Sequence, residues 1–290
     1  MFIGLALGLG LLPGSATTTG PSPLPTLTVT NGIITPFSRG GVNYIEVLWQ
    51  RSGSFTLTHA VTGNLALAAG GANGGLSTSG WVPAGGGAGQ LIEQTGKLFA
   101  AGNYSMSIGA GAPRANKTGG AASNGSPSQL VCPNETLDAL GGGKGGQSGS
   151  VDGENGGNGG GAAAAGSTMG LPGSGATGGF PGGAANASTD VQQRSAGGGG
   201  GADGAGGDGT PSLGGPGGPG RLLGWIANPV EVCRGGKGHR TVTPVSSPDE
   251  TWGSGSGGCY YGADEQYAGA AGNGFGILVV RADQVQVVMA

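Results

Sequence analysis

Charge is scarce in this chain. Only 9% of its 290 residues are charged, and 12 Lys+Arg stand against 15 Asp+Glu. No basic stripe is available to neutralise a phosphate backbone, which argues against nucleic acid as a partner. Cysteine is almost as rare: Cys132, Cys233 and Cys259 are too scattered for a disulfide framework, and none sits in a CxxC pair. A Cys233–Cys259 bridge and three buried thiols remain as readings. With two histidines, His59 and His239, and no neighbouring nucleophile motif, the sequence contains no recognisable catalytic, metal or cofactor site. Long apolar runs are missing too. The run from Phe2 to Leu12 is too short to span a bilayer, so no membrane span is expected. Helical periodicity is nearly absent. Its one candidate is PNETLDAL, with Asn134 as N-cap and Gly141 as stop.

What the chain has instead is glycine, 73 residues of it, most of them after residue 60. Residues 197–220 read GGGGGADGAGGDGTPSLGGPGGPG. No strict Gly-X-Y period persists, so this is not collagen. Each glycine loses more backbone entropy on ordering than any other residue, so a folded tract needs compensating contacts. Polyglycine-II strands supply them: three residues per turn, no internal hydrogen bonds, and neighbours close enough for N–H to meet C=O between strands. Ala, Asn, Ser and Pro then mark faces and turns.

The expected organisation is mainly β, with a polyglycine-II-like bundle and almost no helix. Residues 1–26 are an apolar peptide followed by a Pro/Ser/Thr linker in which Pro21, Pro23 and Pro25 favour an extended path. Residues 27–140 are β-rich. Asn31-Gly32 between β-branched runs predicts a two-residue hairpin, and NYIEVLW, SFTLT, NLALAA, Gln90–Gln94 and Tyr104–Ile108 predict strands. Residues 141–224 form the glycine bundle, 225–271 an aromatic and polar loop region, and 272–290 the closing strands.

The order SGSFTLTHAVTGNLALAAGGANGG, PAGGGAGQ, GNYSMSIGAG, a long glycine region and GNGFGILVVR, over about residues 50–282, resembles the glycine-rich domain of phage tail-fibre and minor tail proteins. Phe55–Thr58 matches the family's opening strand without its Pro, and the stretch Arg234–Tyr267 departs from the simplest pattern. The resemblance implies a virion protein of a bacterial virus with receptor-binding loops at the ends of a polyglycine-II bundle. Its expected partners are copies of itself, a trimer being favoured, other tail or capsid subunits, and a host glycan or outer-membrane protein. The alternatives are a head fibre or decoration protein, and a secreted glycine-rich cell-surface or ice-binding protein. The last requires residues 1–16 to be a cleaved signal.

Two groups of candidate functional residues follow. Phe2, Ile3, Leu5, Leu7, Leu9, Leu11 and Leu12 form an apolar peptide suited to burial in a partner subunit, the virion anchor. Lys237, Arg240, Trp252, Tyr260, Tyr261 and Tyr267 concentrate charge and aromatic area in a Gly/Ser-rich segment. Such residues suit a receptor surface, or they pack over the ends of the bundle. Lys144 in GGGKGG lacks the ending of a phosphate loop. Asp203 and Asp208, without a second calcium-type repeat, read as solvated turns.

Overall fold

A computed structural model describes residues 24–77, 81–113, 122–240, 252–257, 259–260 and 270–290. The alternating runs form β1 (Thr26–Thr30), β2 (Ile33–Arg39), β3 (Val42–Trp49), β4 (Gly53–Leu57), β5 (Val61–Ala68), β6 (Leu91–Phe99), β7 (Gly102–Ser107), β8 (Ser128–Val131) and β9 (Thr136–Ala139). A hairpin follows, β10 (Arg221–Leu223) and β11 (Val230–Val232), and the chain closes with β12 (Phe275–Arg281) and β13 (Gln286–Met289). Two sheets result, in the orders β9-β8-β7-β4-β1-β13 and β2-β3-β12-β5-β6. Inward side chains of both, among them Leu27, Val47, Trp49, Phe55, Leu65, Phe99, Tyr104, Leu130 and Leu278, make one core. Phe55 stacks on Tyr104 at 4.3 Å within it.

The second sheet is buried on both faces, which explains why its central strand β12, FGILVVR, is apolar at nearly every position. Its outer face is covered by the β10–β11 hairpin, with Leu223, Ile226, Val232 and Cys233 lying over Ala66, Ala68, Ile277 and Val279. The loop between the hairpin strands is tied down at both ends of the sheet. Arg39 donates to the carbonyls of Gly224 and Ile226, and the amide of Ala227 donates to Glu46. Trp225 donates to Glu93 at 2.6 Å.

Three sequence expectations change. Asn31 does take a positive φ of 58°, but β1 and β2 lie in different sheets and do not pair, so Asn31-Gly32 is a crossing between sheets. Glycine is required there by the core: a Cβ on Gly32 would lie 2.6 Å from Val29 and Val47. The type I′ hairpin is at Gly40-Gly41, with φ of 57° and 78° and Arg39 paired to Val42. PNETLDAL is no helix. Cys132 closes a turn on Glu135, and Thr136–Ala139 pairs antiparallel with β8, placing Leu137 and Ala139 on the core side. Pairing and period-2 burial override a weak local helix signal. Cys132 and Cys233 are free thiols, Cys132 only half-buried, so the Cys233–Cys259 bridge is not formed.

The glycine segments pack as a bundle continuous with the sandwich. Segments 69–75 and 140–146 leave β5 and β9, segment 109–112 follows β7, and segments 84–90, 122–127 and 270–274 lead into β6, β8 and β12. Segment 84–90 has the three-residue period of polyglycine II. Amides of Ala84, Gly87 and Gln90 donate to Gly146, Gly143 and Leu140, those of Gly85 and Ala88 to Gly197 and Gly200, and those of Gly86 and Gly89 to Ser256 and Gly253. Its carbonyls accept from Gly75, Ala72 and Ala69, from Gly161 and Asn158, and from Gly236. One segment thus contacts six others through its backbone alone. Segment 196–202 repeats the rule, donating to 239, 236 and 233, to 162 and 159, and to 207 and 204. Glycine serves here by close approach rather than by unusual φ: a Cβ on Gly199 would collide with the carbonyl of Gly86. Segments outside 141–224, namely 69–75, 84–90, 109–112, 122–127, 233–239, 252–257 and 270–274, belong to the same network.

Candidate functional site

The outer segments show how the bundle ends its hydrogen-bond lattice and so exposes particular residues. Where a neighbouring carbonyl is missing, an Asx side chain replaces it. Asp152 accepts from the amide of Leu171, Asn155 from Ser174 and Asn158 from Phe180, each at 2.7–2.9 Å, along VDGENGGN with a spacing of three. Asp208 does the same for Ala184 at 2.7 Å, so it is a lattice acceptor rather than a solvated turn. Asp203 is exposed at the Gly201–Gly204 turn and pairs with Arg221. Where a donor would point outward, proline removes it: Pro216 and Pro219 alternate with Gly215 and Gly218, whose amides donate inward to Ala196 and Gly199.

Because the chain runs up and down, its connections gather at two ends. Turns at 176–179 and 201–204 lie beside the sandwich, Ala202 packing on the hairpin cluster. The distal end carries the turn 147–150, the short pairings of Trp81–Val82 and Thr168–Met169 with Ala164–Ala165, the loop 186–195 and the turn 210–213. In loop 186–195, Asn186 and Ser195 exchange backbone hydrogen bonds and Asp190 caps the 3-10 turn Val191–Gln193. Arg194 donates back to Ser188 at 2.7 Å. Large apolar side chains stand exposed on this end: Met169 59%, Leu171 73%, Val191 47% and Leu213 69%. Sequence reasoning missed them. Their signal is an isolated large apolar residue beside turn residues inside a glycine tract, with no alternating partner to bury it.

Among the described receptor-contact candidates, Arg240 and Trp252 are not brought together. Arg240 is at the distal end, where it donates to the carbonyl of Gln192 at 2.9 Å and braces loop 186–195. Lys237 is exposed on segment 233–239. Trp252 is at the sandwich end, half-buried, its ring 5.3 Å from Phe275 and its carbonyl accepting from Cys233. It borders an open groove of about 470 Å³ with Gln50 and residues 270–274. The backbone of Cys259–Tyr260 pairs in parallel with Leu76–Ser77 at the distal end. Tyr261, Tyr267, and the anchor residues Phe2 to Leu12 lie outside the described residues.

His59 is exposed beside the Thr58 hydroxyl, whereas His239 is buried in the bundle, and burial lowers its imidazole to about 4. Burial likewise raises the Cys233 thiol to about 12, which suppresses the thiolate. Among the described residues, no three His, Cys, Asp or Glu side chains are grouped to hold a metal ion, and no helix is long and apolar enough to cross a membrane. Lys144 pairs with Glu154 at 2.8 Å, an ion pair on the surface of the bundle. A family model described as a glycine-rich domain matches residues 51–283. A search of curated proteins gave no match.

Proposed function

The chain belongs to the glycine-rich domain family, and from that premise we propose that it is a non-enzymatic structural protein of a bacterial virus, a tail-fibre or receptor-binding component. The sandwich is the side through which it attaches to the particle, and the distal loops face the bacterial surface. One observation carries this reading: a stalk stiffened by backbone hydrogen bonds in three directions collects a set of loops, with exposed Met169, Val191 and Leu213, at the end away from the sandwich. A scaffold of this kind lets loops vary without disturbing a core, as binding surfaces on rigid supports do. The protein works as a homo-oligomer, a trimer in the reading favoured by the limited side-chain core, and its counterpart on the host is an outer-membrane protein or surface glycan.

The test is immunogold electron microscopy of purified particles, together with a competition assay in which the free protein blocks adsorption to host cells. Label at the tail tip and competition lost in a Val191→Glu, Leu213→Glu variant support the proposal. Label on the head makes it a head fibre, and absence from the particle overturns it.

A further inference from the structure

The two sheets end in four edge strands, β9 and β13 in the first and β2 and β6 in the second. An open edge invites another strand, and proteins discourage this with charge, proline or bulges. Three of these edges do so. β2 carries Pro36 and Arg39, β6 carries Glu93, Lys97 and the register shift opposite Gly63–Leu65, and β9 carries Asp138. β13 does not: its sequence is QVVM, paired in unbroken parallel register with β1 from Thr26–Gln286 to Val29–Met289. Val287 packs on the core, while Val288 is 43% and Met289 57% exposed, with Leu24 at 48% nearby. By alternation Met289 shares the core-facing row with Val287. The row of the core is thus left uncovered along this edge.

We infer that β13 receives residues 3–11 of a neighbouring copy as an added strand. Those residues read IGLALGLGL: Ile3, Leu5, Leu7, Leu9 and Leu11 alternate with Gly4, Ala6, Gly8 and Gly10, the period of a strand with one apolar face. Laid beside β13, the leucine face continues the row of Val287 and Met289, and no charge is buried. Extended at about 3.1 Å per residue, residues 12–24, with Pro13, Pro21 and Pro23, reach up to about 40 Å, enough to carry the segment away from its own sandwich. Segment into edge is a heterologous contact, and heterologous contacts make rings where the rotation between copies closes, of which a trimer is one. The inference deepens the oligomeric part of the proposal above. It assigns the peptide first read as a virion anchor to a copy of the same chain.

The experiment measures solution mass by light scattering on the full chain and two variants. Val288→Lys, with Met289→Lys as a second edge variant, charges the edge at an exposed position; Leu5→Asp, Leu7→Asp, Leu9→Asp charges the segment. The expected results are an oligomer for the parent and monomers with unchanged melting curves for both variants. An equal mixture of edge and segment variants should give a heterodimer and nothing larger, since only one intact segment–edge pair remains. A monomeric parent, a segment variant that keeps its mass, a mixture that stays monomeric, or a mature chain starting beyond Leu11 overturns the inference. Copies joined edge to edge would show as the second of these outcomes. Failure here leaves particle labelling unaffected, so the two readings fail separately.

Discussion

A single methyl group distinguishes the kinds of glycine in this molecule. At Gly199 a Cβ meets the Gly86 carbonyl, whereas at Gly224 nothing lies within 4 Å. Gly199→Ala should cost about 3 kcal/mol or prevent folding, because backbone on both sides cannot yield, while Gly224→Ala should stay within about 0.5 kcal/mol. Gly40→Ala is the intermediate case. There is space, but φ is 57°, so about 1 kcal/mol of strain is expected. Urea midpoints of the three variants check this order. His239 supplies a pH dependence. Its imidazole titrates at about 4 in the folded protein against the usual 6.5. The unfolded chain therefore takes up the proton first, and the stability this residue supports is complete above pH 6.5 and is lost as pH falls towards 4. The loss reaches about 3 kcal/mol below that window. Comparing His239→Gln with the parent at pH 7.5 and 4.5 isolates it from the carboxylates: the parent should lose its advantage at the lower pH.

At the scale of elements, each outer segment depends on its side-chain acceptors. Removing Asn155 or Asp152 leaves the amide of Ser174 or Leu171 without its acceptor. Asn155→Ala should cost about 1 kcal/mol and speed hydrogen exchange at Ser174, while Asp152→Asn should change little. These residues also mark what the sequence discloses. Strands β3, β4 and β7 are legible from the alternation of their residue types, and β12 from a continuous apolar run. Asn31-Gly32 misleads because its turn propensity is local, whereas the pairing of β1 with β4 and β13 is set 24 or more residues away. The order of the glycine segments is barely written, since a residue without a side chain cannot encode which neighbour it meets. Only the Asx period in VDGENGGN and the prolines of GGPGGPG hint at it. The placement of the candidate contact residues is hidden for a related reason: Arg240 and Trp252 are close in sequence, yet they lie at opposite ends of the bundle.

The molecule as a whole should unfold as one unit. Six sandwich strands run directly into glycine segments, and each inner segment is bonded to several others, so no part can open without breaking the lattice. A single transition, coincident by circular dichroism and by Trp fluorescence from Trp49 in the core, is expected; two separated transitions would show that sandwich and bundle are independent. The bundle also has a thermal consequence. Unfolding normally raises heat capacity because apolar surface meets water, at about 0.45 cal/K/mol per Å², while newly wetted peptide groups lower it by about 0.26. A lattice that hides mostly peptide groups releases both in nearly offsetting amounts. Its share of the heat-capacity change is then small, so the molecule's single stability curve is flatter than that of an all-sandwich protein of the same length.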